Sequence, residues 1–302
     1  MGADVFAAVS APPLTWNLVQ DVVQLFDYEF SRNAFAAGTI VAIVAGVVGF
    51  FVVLRSLTFA SDALAHLGFS GAAGAVVIGV SPIAGLLAFT IGGAVTMSAL
   101  GQRLRGRDVA IGIVLAWTLG LGSLFLSLYT GYATEAFAIL FGELYGVSGT
   151  ALVITLIAAV IVLTAMAVMY RPLLFASLDD DVAEARGVPV RLIGIGFMIV
   201  LAIAVSEAVQ VVGVLLMFAL LVTPAAIAER LTARPARSMT ISVVLAVAFT
   251  WIGLATAYYL PYPPGFFITT IAFLTYVGVR GGAAVAARSR TQRRPIAVEA
   301  AA

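Results

Sequence analysis

Apolar residues run through the chain in blocks of about twenty, the length that crosses a bilayer as an α-helix. Nine blocks are read, at roughly 34–54, 62–80, 83–101, 108–129, 149–169, 192–209, 211–229, 238–260 and 265–280. The predicted fold is therefore all-α, a polytopic membrane protein with eight or nine transmembrane helices. Ahead of the first block, Trp16 to Phe30 places apolar residues at helical spacing with Asp21, Asp27 and Glu29 between them. That pattern predicts a helix lying on the membrane surface, so residues 1–33 are assigned to an N-terminal interfacial segment and 34–280 to the transmembrane domain. Residues 281–302 are small and Arg-rich, and are expected to form a disordered cytoplasmic tail. The stretch "YATEAFAILFGELYG", 132–146, is too short and too polar to cross and reads as a re-entrant or interfacial piece.

Arginine sets the expected orientation. Apart from Arg32, the arginines fall at Arg55, at 103–107, at 171–191, at 230–237 and from Arg280 onward, while the alternate loops at Ser81-Pro82, Tyr129 to Tyr132 and "LPYPPG" carry none. The positive-inside rule places the Arg-bearing loops and the C-terminus in the cytoplasm and the N-terminus outside.

Composition narrows the function classes. The chain is 62% hydrophobic and 10% charged, with a mean hydropathy of +1.12, far too apolar for a soluble domain. No basic stripe interleaved with aromatics is present, which sets nucleic acid aside as a partner. There is no cysteine, so disulfides, thiolate metal sites and a Cys nucleophile are excluded. All sixteen basic residues are Arg, and without lysine no Gly-rich phosphate loop ending in Lys-Ser/Thr can form. Any ATP-driven work must draw its ATPase from another chain. The start of the chain lacks a positively charged n-region, so a cleaved signal peptide is not expected.

The stretch "FASDALAHLGFSG" holds the chain's single histidine, His66, four residues after Asp62. At that spacing two helical side chains share a face, about 5–6 Å apart at Cβ. A carboxylate oxygen and an imidazole nitrogen so placed can reach one divalent ion, and the mixed N/O set suits zinc, manganese and neighbouring first-row metals. In the plainer reading, Asp62 caps the helix and His66 makes one hydrogen bond within the bundle. A charged Asp at membrane depth costs on the order of 3 kcal/mol on insertion scales, and such residues mark substrate paths. The same stretch contains "GFSG", which resembles the Gly-x-Ser motif of intramembrane serine proteases. Those need a histidine from another helix to activate Ser70, and this chain has no second one.

Other polar groups stand at the ends of spans. Glu207 and Gln210 close one block at its outer end, and Glu135 and Glu143 flank 132–146. They suit either an outer vestibule that attracts cations or solvated helix ends. The loop "SLDDDVAEARGVPVRL" has Ser177 or Asp179 as N-cap, acidic first-turn residues and Gly187 before Pro189, and predicts a short surface helix. In "VVGVLLMFALLVTPAAIAERLTARPARSM", a span runs into Thr223-Pro224, continues as a small-residue amphipathic helix and breaks at Pro235. That segment, 223–238, reads either as a kinked helix with a basic anchor or as a helix offered to a cytoplasmic partner. Pro224, Ala226, Ala228, Arg230 and Arg234 are its candidate docking residues.

Taken in order, "GVVGFFVVLRSLTFASDALAH" (46–66), "DVAIGIVLAWTLGLG" (108–122), "AILFGELYGVS" (138–148), "LDDDVAEARGVPVRLI" (178–193), "AVQVVGVLLMFALLVTPAAIAERL" (208–231) and "YYLPYPPGFFIT" (258–269) resemble the permease subunit of the zinc/manganese (ABC-3) family of ATP-binding cassette importers. The resemblance covers about residues 30–280. It implies that Asp62 and His66 line a metal site in a channel and that the transported divalent ion, zinc or manganese, is cargo with no permanently bound cofactor. It also implies a type II importer architecture: a homodimeric permease in the cell membrane, two cytosolic ATPase subunits and an extracellular or periplasmic metal-binding protein. Ser61 stands where that family often has glycine. Importers of metal chelates or of cobalamin are the related alternative, and they need no metal-binding pair.

Overall fold

The computed structural model describes residues 18–100, 107–128, 142, 144–260 and 262–292. Its helices are α1 (Leu18–Asp27), α2 (Glu29–Leu54), α3 (Thr58–Val77), α4 (Pro82–Leu100), α5 (Arg107–Leu128), α6 (Gly149–Leu178), α7 (Asp180–Ala185), α8 (Val190–Val212), α9 (Val214–Leu231), α10 (Pro235–Tyr259) and α11 (Pro264–Gln292), with a 3₁₀ turn at Leu144–Gly146 before α6. No strand occurs among the described residues.

Among the described residues, nine helices reach eighteen residues, one for each apolar block. Eight are long and apolar enough to cross a membrane. The ninth, α3, falls short because Asp62, His66, Ser61, Ser70 and its glycines dilute the apolar residues. Neighbours relieve it of facing lipid: it packs against α4, α5, α8 and α9, and nearly every side chain from Ala60 to Ala75 is buried. A polar helix is stable at this depth only when the bundle supplies its surroundings.

Two helices organise the core. α2 packs against α10, α9, α6 and α8, and α8 lies among α4, α6, α2 and α3. Phe51 of α2 joins three helices, edge-on to Phe50 at 5.0 Å, to Tyr170 of α6 at 5.9 Å and to Phe197 of α8 at 6.1 Å between ring centroids. Elsewhere helices meet backbone to backbone, as small residues permit in membranes. A Cβ on Gly49 would overlap the carbonyl of Leu221 on α9, and Gly71 of α3 meets Gly85 of α4 with no room for a side chain on either.

At the Arg-bearing end, α2 turns into α3 through Arg55, Ser56 and Leu57. Ser56 takes a left-handed φ of 54°, the one positive φ among described non-glycine residues, a conformation that costs energy outside glycine. The turn is held by Leu57, whose buried N–H donates to the Val52 carbonyl at 2.8 Å, and by Arg55, whose guanidinium donates to Ser177 Oγ at the end of α6 at 3.2 Å.

Several sequence expectations shift. The tail expected to be disordered from 281 is helical to Gln292, because "AAVAAR" is rich in alanine, the strongest helix former. The surface helix in 178–193 is present as α7, with Asp179 as N-cap accepting from the Val182 N–H at 3.0 Å. Trp16 to Phe30 contributes α1, which ends at Asp27 before α2 starts at Glu29. Of the stretch 132–146, only Gly142 and 144–146 lie within the described residues.

Candidate metal-ion site

Asp62 and His66 lie in the second and third turns of α3, roughly 6 and 12 Å along its axis from Thr58. Their side chains are 36% and 28% exposed, while Ser61, Ala63, Leu64, Ala65, Leu67 and Gly68 around them are buried. Phe59, 41% exposed, continues the same stripe at i, i+3 and i+7. Along this half of an otherwise enclosed helix, the face left open is the one that carries both ionisable groups.

His66 Nε2 lies 4.0 Å from Asp62 Oδ1. That is too long for a hydrogen bond, so the imidazole is not simply tied to the carboxylate. An ion about 2.1 Å from each donor spans at most about 4.2 Å between them, and a small side-chain rotation closes the angle further. The separation is therefore short enough for one cation to reach both donors. Among the described residues, no third His, Cys, Asp or Glu joins them to complete a site.

The protease reading fails on geometry. Ser70 is fully buried, and its hydroxyl donates to the His66 carbonyl at 3.2 Å, not to the imidazole. A Cβ on Gly122 of α5 would lie 2.5 Å from Ser70 Oγ, so α5 seals the hydroxyl from any substrate.

Glu207, expected at a solvated or vestibular helix end, is buried inside the bundle at 4% exposure, and neither carboxyl oxygen has a hydrogen-bond partner. Beside it Ser206 shares a 2.7 Å hydrogen bond with Thr90 of α4. α8 is roofed by its neighbours close to its last turn, which is why a polar residue near a span end does not reach solvent here. Glu135 and Glu143 lie outside the described residues.

The segment 223–238 is not a separate helix. It comprises the end of α9, a turn through Thr232 to Arg234, and the start of α10 at Pro235. Pro224 stays inside α9, because the bundle holds the helix on both sides of it. Pro224 and Ala228 are buried, Ala226 is half-buried, and Arg230 and Arg234 are exposed. Arg230 is already engaged: its guanidinium donates to Tyr276 Oη at 3.4 Å and sits 5.6 Å from that ring's centroid. Tyr276 was not legible as its partner, being 46 residues away with no motif linking the two.

Comparison with known proteins bears on the same residues. The ABC 3 transport family matches residues 27–280. Manganese transport system membrane protein MntC of Listeria monocytogenes is 32% identical over 235 residues, 78% of this chain and 84% of the relative. The protein of the same name from Halalkalibacterium halodurans is 36% identical over 215 residues, 70% of this chain and 73% of the relative. Among solved structures, PsaBC from Streptococcus pneumoniae in complex with Fab superposes with a TM-score of 0.78 at 28% identity, covering 87% of this chain and 95% of that one. With the match running from the end of α1 through the last span, the chain belongs to the ABC 3 transport family.

Proposed function

We propose that this chain is the membrane permease of an ABC importer for a divalent transition metal ion, manganese before zinc. The observation that carries the reading is the Asp62–His66 pair on the open stripe of α3. The manganese preference is supported by the printed function of the relatives and by an O/N donor set that suits manganese as well as zinc. One protomer offers two donors, and two protomers related by a two-fold axis with their α3 stripes facing offer four. The permease therefore acts as a homodimer of type II importer architecture in the cell membrane, with the C-terminus in the cytoplasm.

An external metal-binding protein delivers the ion at the outer loops, and a cytosolic ATPase drives alternating access. That ATPase engages the exposed end of α9 and the following turn, where Ala226, Arg230 and Arg234 are accessible, while Pro224 and Ala228 fix the helix beneath them. The carboxylates offset the ion's charge in a channel of low dielectric.

The test is initial uptake of labelled manganese in cells whose other metal importers are deleted, carrying this chain with its ATPase. Uptake is expected to be saturable, to require the ATPase, and to be suppressed more by unlabelled manganese than by equal zinc. An importer of chelates or cobalamin is the second reading. It becomes the better one if free manganese is not taken up, or if uptake survives Asp62→Asn unchanged.

A further inference from the structure

An apolar groove of about 510 Å³ opens between α2, α6 and α10 at the arginine-bearing end of the bundle. Phe51, Leu163, Ala167, Tyr170, Ala236 and Met239 line it. Ala236 also lines an adjoining hollow of about 390 Å³, together with Arg237 and Thr240. On α6, Leu163, Ala167 and Arg171 follow one another at four-residue spacing, so Arg171 stands one turn beyond the groove on the same face. Arg171, Ala167, Ala236 and Arg237 are exposed. Within the described residues, no hydrogen bond or ion pair engages the guanidinium of Arg171 or of Arg237.

We propose that this groove binds an anionic phospholipid, with an acyl chain along Leu163, Ala167 and Met239 and the phosphate between Arg171 and Arg237. An apolar hollow facing hydrocarbon is filled by hydrocarbon, because water there would find no polar partners. Its size falls within the usual range of ligand cavities. Guanidinium groups at the membrane surface attract anionic lipid, and their planar fork matches a phosphate's oxygens better than an ammonium would. Tyr170, at the same level, is the kind of aromatic that settles at the headgroup boundary. The site lies on the outer side of α6 and α10, on elements other than α3, and does not depend on which ion is transported.

The experiment places the full chain in nanodiscs of roughly nine parts phosphatidylcholine to one part phosphatidylglycerol, extracts it in mild detergent, and counts retained lipids by native mass spectrometry. Wild-type protein is expected to retain phosphatidylglycerol over phosphatidylcholine in a ratio roughly thirtyfold above the bulk ratio, that is about three to one, from about 1 kcal/mol for each of two surface arginines. The double variant Arg171→Gln/Arg237→Gln loses the preference, Arg171→Lys/Arg237→Lys keeps part of it, and Arg191→Gln, an exposed control away from the groove, leaves it intact. Ala167→Phe, which fills the groove, lowers the number of tightly retained lipids of either kind. The proposal is overturned if wild-type protein retains lipids in the bulk ratio, or if the double glutamine variant keeps the preference. It is overturned equally if Ala167→Phe changes the oligomeric state and leaves retained lipid unaltered, since the face is then a contact between copies of the chain.

Discussion

Asp62→Ala and His66→Ala should each bring manganese uptake down to background. The loss should exceed about 100-fold, because even residues that merely support a metal ligand cost 10–100-fold when removed. Misfolding is not the cause to expect. Asp62 is a charge that costs on the order of 3 kcal/mol to hold at membrane depth, so replacing it with alanine eases insertion. His66 is 28% exposed, and among the described residues its side chain makes no hydrogen bond or ion pair to another helix. Membrane-inserted protein and co-purified ATPase should therefore stay at wild-type amounts in both variants. His66→Asn separates the roles further, since an amide can hydrogen-bond but is a poor ligand for a transition metal. Wild-type uptake in either alanine variant would sink the assignment of the site, and strong uptake in His66→Asn would return His66 to a hydrogen-bonding role.

Gly49→Val should cost the protein its fold. The substituted Cβ runs into the Leu221 carbonyl, a backbone atom of a buried residue in α9 that has no rotamer to move into. Overpacking a core ordinarily costs about 1–3 kcal/mol, and a clash with backbone belongs at or above the top of that range. Monodisperse protein recovered in detergent should fall sharply and its apparent unfolding temperature with it. Gly112→Ala in α5 is the control: its Cβ would meet nothing within 4 Å, and alanine favours a helix over glycine by about 0.8–1.0 kcal/mol. Equal yields of the two variants would show that α2 and α9 are less intimately joined than the structure has them.

The bilayer explains why much of this was legible in the sequence. A helix facing hydrocarbon must be apolar over its whole crossing, so the blocks at 34–54 and 149–169 fall within α2 and α6, and seven others find a helix as well. The Asp62–His66 pair stood out for the same reason, as polar residues inside an apolar run. What faces protein instead of lipid was harder to read. Glu207 looked solvated because it stands near a span's end, and only the packing of α8 shows it enclosed. The segment 223–238 read as one amphipathic continuation breaking at Pro235, yet α9 passes through Pro224 and ends at Leu231, and Pro235 starts α10. The Arg230–Tyr276 contact joins positions far apart in the chain, and no local pattern announces it.

The open stripe on α3 also bears on inheritance. In the proposed homodimer, with two donors from each chain, the site forms where two chains meet, so each ion belongs to a pair of gene products and to neither alone. A cell making intact and His66→Ala chains in equal amounts would assemble fully equipped pairs about a quarter of the time if pairing is random. Uptake in such mixtures should follow the square of the intact share, and a single defective copy would act as a partial dominant.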